Sequence, residues 1–136
     1  MKKFLIPASV LFALSLILSA CGAQGPSTTI NVTMTDFQFQ PAQFTIPAGK
    51  EITFNAANTG AVVHNFVIMK FGANAGESFT EEDKPNVYWE VEVLPGQEAH
   101  VTFTSPSDTG SYQIVCRTEG HLGAGMTGTL TVVAEE

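Results

Sequence analysis

The chain has 136 residues, and its 13 acidic against six basic side chains give a formal net charge of −7 at pH 7. A surface this acidic repels a phosphate backbone, which argues against a nucleic-acid partner. Once an N-terminal leader is removed, the length allows one domain with one hydrophobic core and is too short for two.

The N-terminus has the pattern of an exported lipoprotein. A short cationic start precedes a mostly apolar run over residues 4–18, which is too short to span a membrane. The run leads into small residues before Cys21, which resembles a bacterial lipoprotein processing site. We therefore predict a signal peptide over residues 1–20 and, over residues 21–28, a lipidated Cys21 followed by a flexible tether. The alternative is an ordinary secretory signal followed by a free cysteine.

Export changes both the charge and the thiol content of the chain. Loss of Lys2 and Lys3 with the leader lowers the formal net charge from −7 to −9. If Cys21 carries lipid, Cys116 is the one thiol left, so no intramolecular disulfide can form. Metal ligation would explain an unpaired thiol outside the cytoplasm. We expect the domain to lie on the periplasmic or extracytoplasmic side of the cell membrane, held there by the lipid.

Residues 29–136 are predicted to form an all-β domain. Short runs of β-branched and aromatic residues alternate there with Gly, Pro and Asn breaks. About eight such strands favour a Greek-key β-sandwich. The predicted strands span residues 29–34, 43–46, 51–58, 62–70, 87–93, 100–104, 111–116 and 127–134.

Residues 71–85 interrupt the strand pattern with glycines and charged residues. Ser78 and Glu81 have the spacing of a capping box, so we predict one helical turn that Pro85 ends. The acidic run that closes at Asp83 is either solvated surface or a docking patch for a cationic partner.

An eleven-residue segment near the C-terminus presents Cys116, His121 and Met126 at regular intervals. A thiolate and an imidazole bind several metals, but a thioether is a poor ligand for zinc and a good one for copper. Copper in such a site takes a second imidazole. His100 lies in an alternating strand, on the face opposite its apolar neighbours, whereas His64 begins an apolar stretch. We therefore assign His64 to the metal, which completes the ligand set of a blue-copper site.

These residues resemble those of the cupredoxins, the small blue-copper electron carriers that include plastocyanin, azurin and auracyanin. Residues 121–126 and the strand after them are similar to plastocyanin, whereas the four residues between Cys116 and His121 are closer to azurin and auracyanin. Residues 47–54 and 110–116 also match the family. The resemblance therefore covers most of the mature chain.

The resemblance extends to the first ligand, with one departure beside the cysteine. The pair His64-Asn65 is similar to the first-ligand pair of the family. The family often has Ser or Thr directly after the cysteine, bonded to that Asn, where this chain has Arg117. The resemblance implies one type I copper with three equatorial ligands, His64, Cys116 and His121, and one weak axial ligand, Met126.

The function that the resemblance implies is one-electron transfer without catalysis of a reaction. The expected partners are redox proteins, such as a c-type cytochrome or a membrane electron-transfer complex. Residues 122–125 carry no charge, so we expect a small apolar patch around the outer edge of His121 where electrons would pass. Two alternatives are a copper chaperone or storage lipoprotein and a metal-free β-sandwich that binds other molecules. A single thiol in a closed loop argues against the chaperone.

Overall fold

The computed structural model describes residues 25–135. The predicted signal peptide and Cys21 lie outside these residues. No helix between residues 25 and 135 has both the length and the apolar character needed to cross a membrane. The described part of the chain forms one 3-10 helix, Lys84–Asn86, and nine strands: β1 Thr29–Thr35, β2 Gln38–Gln40, β3 Gln43–Pro47, β4 Glu51–Asn58, β5 His64–Met69, β6 Val87–Val93, β7 Glu98–Thr104, β8 Gly110–Val115 and β9 Thr127–Val133.

The strands form two packed sheets, which confirms the predicted β-sandwich. One sheet has the order β2-β1-β4-β7 and the other the order β3-β9-β8-β5-β6. In the second sheet β5 and β9 both run antiparallel to β8. The end of β8 therefore lies beside the starts of β5 and β9. We call this end of the sandwich, where His64, Cys116 and Thr127 lie, the ligand end.

The main core lies between the sheets and follows from the alternation of the strands. In β1 every second side chain is buried, and the same holds for β4, because successive side chains of a strand point to opposite faces. Phe66 is central, with the rings of Phe39, Phe44 and Phe54 at 4.8–5.7 Å. Burying one such side chain contributes about 1.5–3 kcal/mol, so this cluster holds the sheets together.

All six residues of β5 are buried. A strand with one face toward solvent would instead alternate between buried and exposed residues. Its second face is covered by the segment between β5 and β6, which contributes Ala75 to a smaller core. This second core contains Val67, Met69, Ala75, Val115 and Leu122. The strand that begins with His64 is therefore packed on both faces, and its position is firmly held.

Two sequence predictions differ from the structure in detail. The three-residue strand β2 was not predicted, because so short a run carries no periodic signal. The helical turn beginning at Ser78 was wrong. The Thr80 N–H instead donates to Asp83 Oδ2 at 2.7 Å, and the only helical turn of the segment, within the described residues, is the 3-10 helix at Lys84–Asn86. The acidic side chains Glu81 and Glu82 are exposed, and Glu81 pairs with Lys84 at 2.7 Å.

Candidate metal centre

The topology of the second sheet brings the predicted ligands together at the ligand end. His64 is the first residue of β5, Cys116 directly follows β8, and Met126 directly precedes β9. His121 lies in the turn between Cys116 and Met126. Since β5, β8 and β9 are neighbours in the sheet, side chains 52 residues apart in the chain become adjacent.

The three nitrogen and sulfur donors form a tight cluster. Cys116 Sγ lies 3.9 Å from His64 Nδ1 and 3.6 Å from His121 Nδ1, and the donor atoms of all three residues lie within 4.8 Å of one another. The centroids of the His64 and His121 rings are 5.0 Å apart. Metal bonds of about 2.0–2.3 Å at 120° would place the donors of a trigonal plane roughly 3.5–4.0 Å apart. The cluster therefore has the dimensions of a single-metal site.

Burial closes this site to solvent. The exposed fractions are 0% for His64, Cys116 and Met126, and 6% for His121. Burial lowers the pKa of His64, and the nearby His121 lowers it further, while Asp36 acts in the opposite direction. A lowered pKa favours the neutral imidazole, which is the form that binds metal.

The loop that carries His121 is held by its own backbone. The Cys116 N–H donates to Met126 O at 3.1 Å, and the Met126 N–H donates to His121 O at 2.9 Å. Gly120 and Gly125 adopt positive φ values of 80° and 99°. Residues with a side chain rarely adopt this backbone conformation, so glycine is favoured at both positions. These bonds couple the positions of the three loop ligands.

The family often has a hydroxyl at the position of Arg117. In this chain the hydroxyl contact comes from Thr118, one residue further along. Thr118 Oγ1 donates to Val63 O at 2.8 Å and lies 3.2 Å from Asn65 Oδ1. The Asn65 backbone N–H in turn points at Cys116 Sγ, 3.5 Å away. Arg117 is occupied elsewhere, with Nε 2.8 Å from a carboxylate oxygen of Glu90. The departure at Arg117 therefore leaves the support of Asn65 intact.

The apolar patch predicted around His121 is wrong at Leu122. Leu122 is 9% exposed and belongs to the second core, so it faces the protein and not a partner. An exposed apolar side chain does contact His121: Phe37 is 48% exposed, and its ring meets the His121 ring edge-on with the centroids 5.0 Å apart. The prediction holds for the small residues 123–125, which are exposed.

Two neighbours of His64 were not found from the sequence. Asp36 Oδ1 lies 3.3 Å from His64 Nε2, and Gly60 lies against both. Neither carries a local signal, because they are 28 and four residues from His64 and belong to turns whose contacts form only on folding. The remaining histidine, His100, is exposed on β7 as expected, with Nδ1 2.9 Å from Asn55 Oδ1.

The donor chemistry fits copper. Two imidazoles and a thiolate form the cluster, and the buried thioether residue Met126 is bonded through its backbone to Cys116 and His121. This is the donor set of a blue-copper centre, and a thioether has little affinity for zinc. The same gathering of donors argues against the metal-free alternative.

Comparison with known proteins gives the same family. Residues 26–133 match the plastocyanin/azurin family of copper binding proteins. The chain is 31% identical to auracyanin-A of Chloroflexus aurantiacus, over 83% of this chain and 87% of that protein. It is also 31% identical to the copper-resistant cuproprotein CopI of Rubrivivax gelatinosus, over 76% of this chain and 66% of that protein.

A solved structure extends the agreement to three dimensions. The crystal structure of reduced auracyanin from Roseiflexus castenholzii superposes with a TM-score of 0.68 at 30% identity, covering 80% of this chain and 99% of that one. The chain therefore belongs to the plastocyanin/azurin family of copper-binding proteins, the cupredoxins, and its site holds one type I copper.

Proposed function

We propose that this protein is a lipid-anchored one-electron carrier on the extracytoplasmic side of the cell membrane, and not an enzyme. One observation carries the proposal: every ligand side chain is at most 6% exposed. Each ligand residue either lies at the end of a packed strand or is hydrogen-bonded through its backbone to a residue that does. A catalytic metal site keeps an open coordination position for substrate, whereas a carrier needs a closed and rigid one. The bound copper supplies a one-electron Cu(I)/Cu(II) couple.

The assigned roles follow the ligand positions. His64, Cys116 and His121 are the equatorial ligands, and Met126 is the weak axial ligand that tunes the potential. Packing of β5 on both faces and the backbone bonds of the loop resist movement of these side chains. Because little of the protein would rearrange between oxidation states, such a site favours rapid electron transfer.

His121 is the route that we propose for electrons. It is the one ligand with any solvent exposure, and Phe37 and the small residues 123–125 surround it with uncharged surface. Uncharged contacts permit a close and quickly reversed encounter. The acidic surface, including Glu81 and Glu82, would attract a cationic partner such as a c-type cytochrome and raise the encounter rate at low ionic strength.

The test measures electron transfer from the reduced protein to a cationic c-type cytochrome by stopped flow at several ionic strengths. Phe37→Asn should slow transfer at every ionic strength, because asparagine tolerates the positive φ of 66° but removes the aromatic contact surface. Phe71→Asn is the matched control, since Phe71 is 57% exposed but follows β5 at the opposite end of the sandwich. Equal rates for the two variants, with unchanged copper spectra, would contradict the His121 route.

Neutralising the acidic run tests the steering. Glu81→Gln combined with Glu82→Gln should lower the rate at low salt and leave it unchanged at high salt, because screening already removes long-range attraction there. A salt dependence identical to that of the wild type would show that these carboxylates do not guide the partner.

The anchor is tested separately from the copper site. The wild-type protein should sediment with membranes and carry lipid mass on Cys21, and Cys21→Ala should release it or block its processing. Recovery of the unmodified protein in the soluble fraction would refute the anchor and leave the copper site unaffected.

Similarity to a copper-resistant cuproprotein supports a second candidate, copper binding for resistance or storage. The two functions differ in how readily the metal leaves. A carrier retains copper against a Cu(I) chelator over many turnovers, whereas a storage protein or chaperone releases it. Rapid loss of copper to the chelator, with copper-sensitive growth of cells lacking the protein, would favour the second candidate.

A further inference from the structure

The outer nitrogen of His64 is a buried polar atom with a single nearby carboxylate in the described residues. Nδ1 faces Cys116 at 3.9 Å, so Nε2 points away from the donor cluster. His64 is 0% exposed, and Nε2 makes no well-aligned hydrogen bond to any atom of residues 25–135. Asp36 Oδ1 lies 3.3 Å from it. A small shift of the carboxylate would complete this bond, and leaving Nε2 unpaired would be costly.

The surroundings hold Asp36 in place for this contact. Asp36 lies in the turn between β1 and β2, and its Oδ1 accepts the Ala61 N–H at 3.1 Å. A Cβ added at Gly60 would overlap both His64 Nε2 and Asp36 Oδ1. The absence of a side chain at position 60 therefore allows the carboxylate and the imidazole to approach.

The turn that contains Gly60 is itself anchored by a buried side chain. Asn58, which is 1% exposed, accepts the Gly60 N–H at 2.9 Å and donates to Val62 O and Val93 O. These bonds tie the turn to the end of β6. The Gly60 turn, which lies against both Asp36 and His64, is thus held in place by Asn58.

We propose that Asp36 is a positioning residue for His64, which it orients through Nε2 and makes a stronger donor to copper. A carboxylate that accepts Nε2–H fixes the tautomer in which Nδ1 has a free lone pair. Its negative charge also raises the basicity of the imidazole, and the more highly charged Cu(II) gains more from this than Cu(I). Asp36 therefore lowers the reduction potential. The inference rests on the copper site and not on the partner or the anchor.

Two substitutions separate the charge of Asp36 from its role as an acceptor. Asp36→Asn keeps an oxygen that can accept Nε2–H but removes the charge. Asp36→Ala removes both. Glu119→Gln is the matched control for charge alone, because Glu119 is exposed, lies in the ligand loop, and makes no hydrogen bond or ion pair within residues 25–135.

The first measurement is the reduction potential of the copper-loaded variants. Loss of an outer-shell partner weakens metal binding about 10–100-fold in other sites. At the lower limit, a tenfold loss of Cu(II) affinity relative to Cu(I) in Asp36→Asn would raise the potential by about 59 mV. A shift no larger than that of Glu119→Gln would show that Asp36 acts only as one surface charge among others, and would overturn the proposal.

The second measurement uses the metal-free protein, so it does not depend on copper or on electron transfer. Nitrogen-15 NMR of the His64 ring should show the Nε2–H tautomer in the wild type and in Asp36→Asn. In Asp36→Ala the Nδ1–H tautomer should appear. If Asp36→Ala keeps the wild-type tautomer, another group orients His64 and the proposal is wrong.

Discussion

Replacing Thr118 by valine tests whether this hydroxyl supports the copper loop. Thr118 Oγ1 donates to Val63 O at 2.8 Å and lies 3.2 Å from Asn65 Oδ1. Val63 and Asn65 flank the ligand His64, so the hydroxyl connects the Cys116 side of the site to the His64 side. Valine keeps the branched shape of threonine and removes only the polar contact.

The expected loss follows from these two contacts. One net hydrogen bond contributes about 1 kcal/mol, and an acceptor left unpaired in a buried position adds a cost of about 1–3 kcal/mol. Asn65 is 3% exposed, so water cannot easily replace the hydroxyl there. At the lower end of this sum we expect a loss of about 2 kcal/mol, or about 8 °C in Tm at roughly 4 °C per kcal/mol for a domain of this size.

Thermal unfolding of the metal-free protein measures the effect without the added stability that copper binding would bring. Thr127→Val is the matched control, because Thr127 Oγ1 donates to Ile114 O at 2.8 Å, but Thr127 is exposed. Thr127→Val removes one contact where Thr118→Val removes two, so its loss should cost less. If Thr118→Val lowers Tm no more than Thr127→Val does, Thr118 does not hold the two sides of the site together.

Three further predictions address the copper, the second core and pH. Cys116→Ala should abolish the blue colour of the oxidised protein, whereas Met126→Leu should keep the colour and change the potential; visible spectra and redox titration check both, and zinc-only occupancy in protein given both metals would contradict the site. Leu122→Ala should lower the free energy of unfolding by about 2–4 kcal/mol in denaturant titration, because Leu122 packs in the second core; a loss below about 0.5 kcal/mol would fit the exposed position that the sequence suggested. Burial raises the pKa of Tyr112 above its usual 10.0, with Asp108 and Tyr88 adding to the rise. Since the unfolded chain releases this proton first, stability should fall as pH rises above 10, and Tyr112→Phe should reduce the slope; an unchanged slope would assign the alkaline loss to other groups.

The sequence was sufficient for features that depend on local pattern and donor chemistry. Runs of β-branched and aromatic residues between Gly, Pro and Asn breaks predicted eight of the nine strands of residues 25–135, because strand preference and turn preference are local properties of the sequence. The thiol, imidazole and thioether of the segment 116–126 indicated copper, because donor type limits the metal. His64 could be chosen over His100 since only one of them begins an apolar strand.

Contacts between distant segments could not be predicted in this way. Leu122 has uncharged neighbours in sequence and was expected at the surface, but the segment after β5 folds over the sheet and buries it. Phe37 became the exposed apolar residue beside His121, although 84 residues separate the two in the chain. Which apolar side chain faces a partner depends on what else covers it.

The hydrogen bonds that orient the ligands also depend on contacts between distant segments. The chemistry of the site, a His2Cys cluster with a methionine beside it, could be predicted from four residues and their order along the chain. The groups that orient those ligands could not: Thr118 in place of a hydroxyl at position 117, and Asp36 facing the outer nitrogen of His64. Donor identity is a property of single side chains, whereas hydrogen bonds to a buried imidazole require atoms from separate turns to meet within about 3 Å, which only the folded sandwich decides.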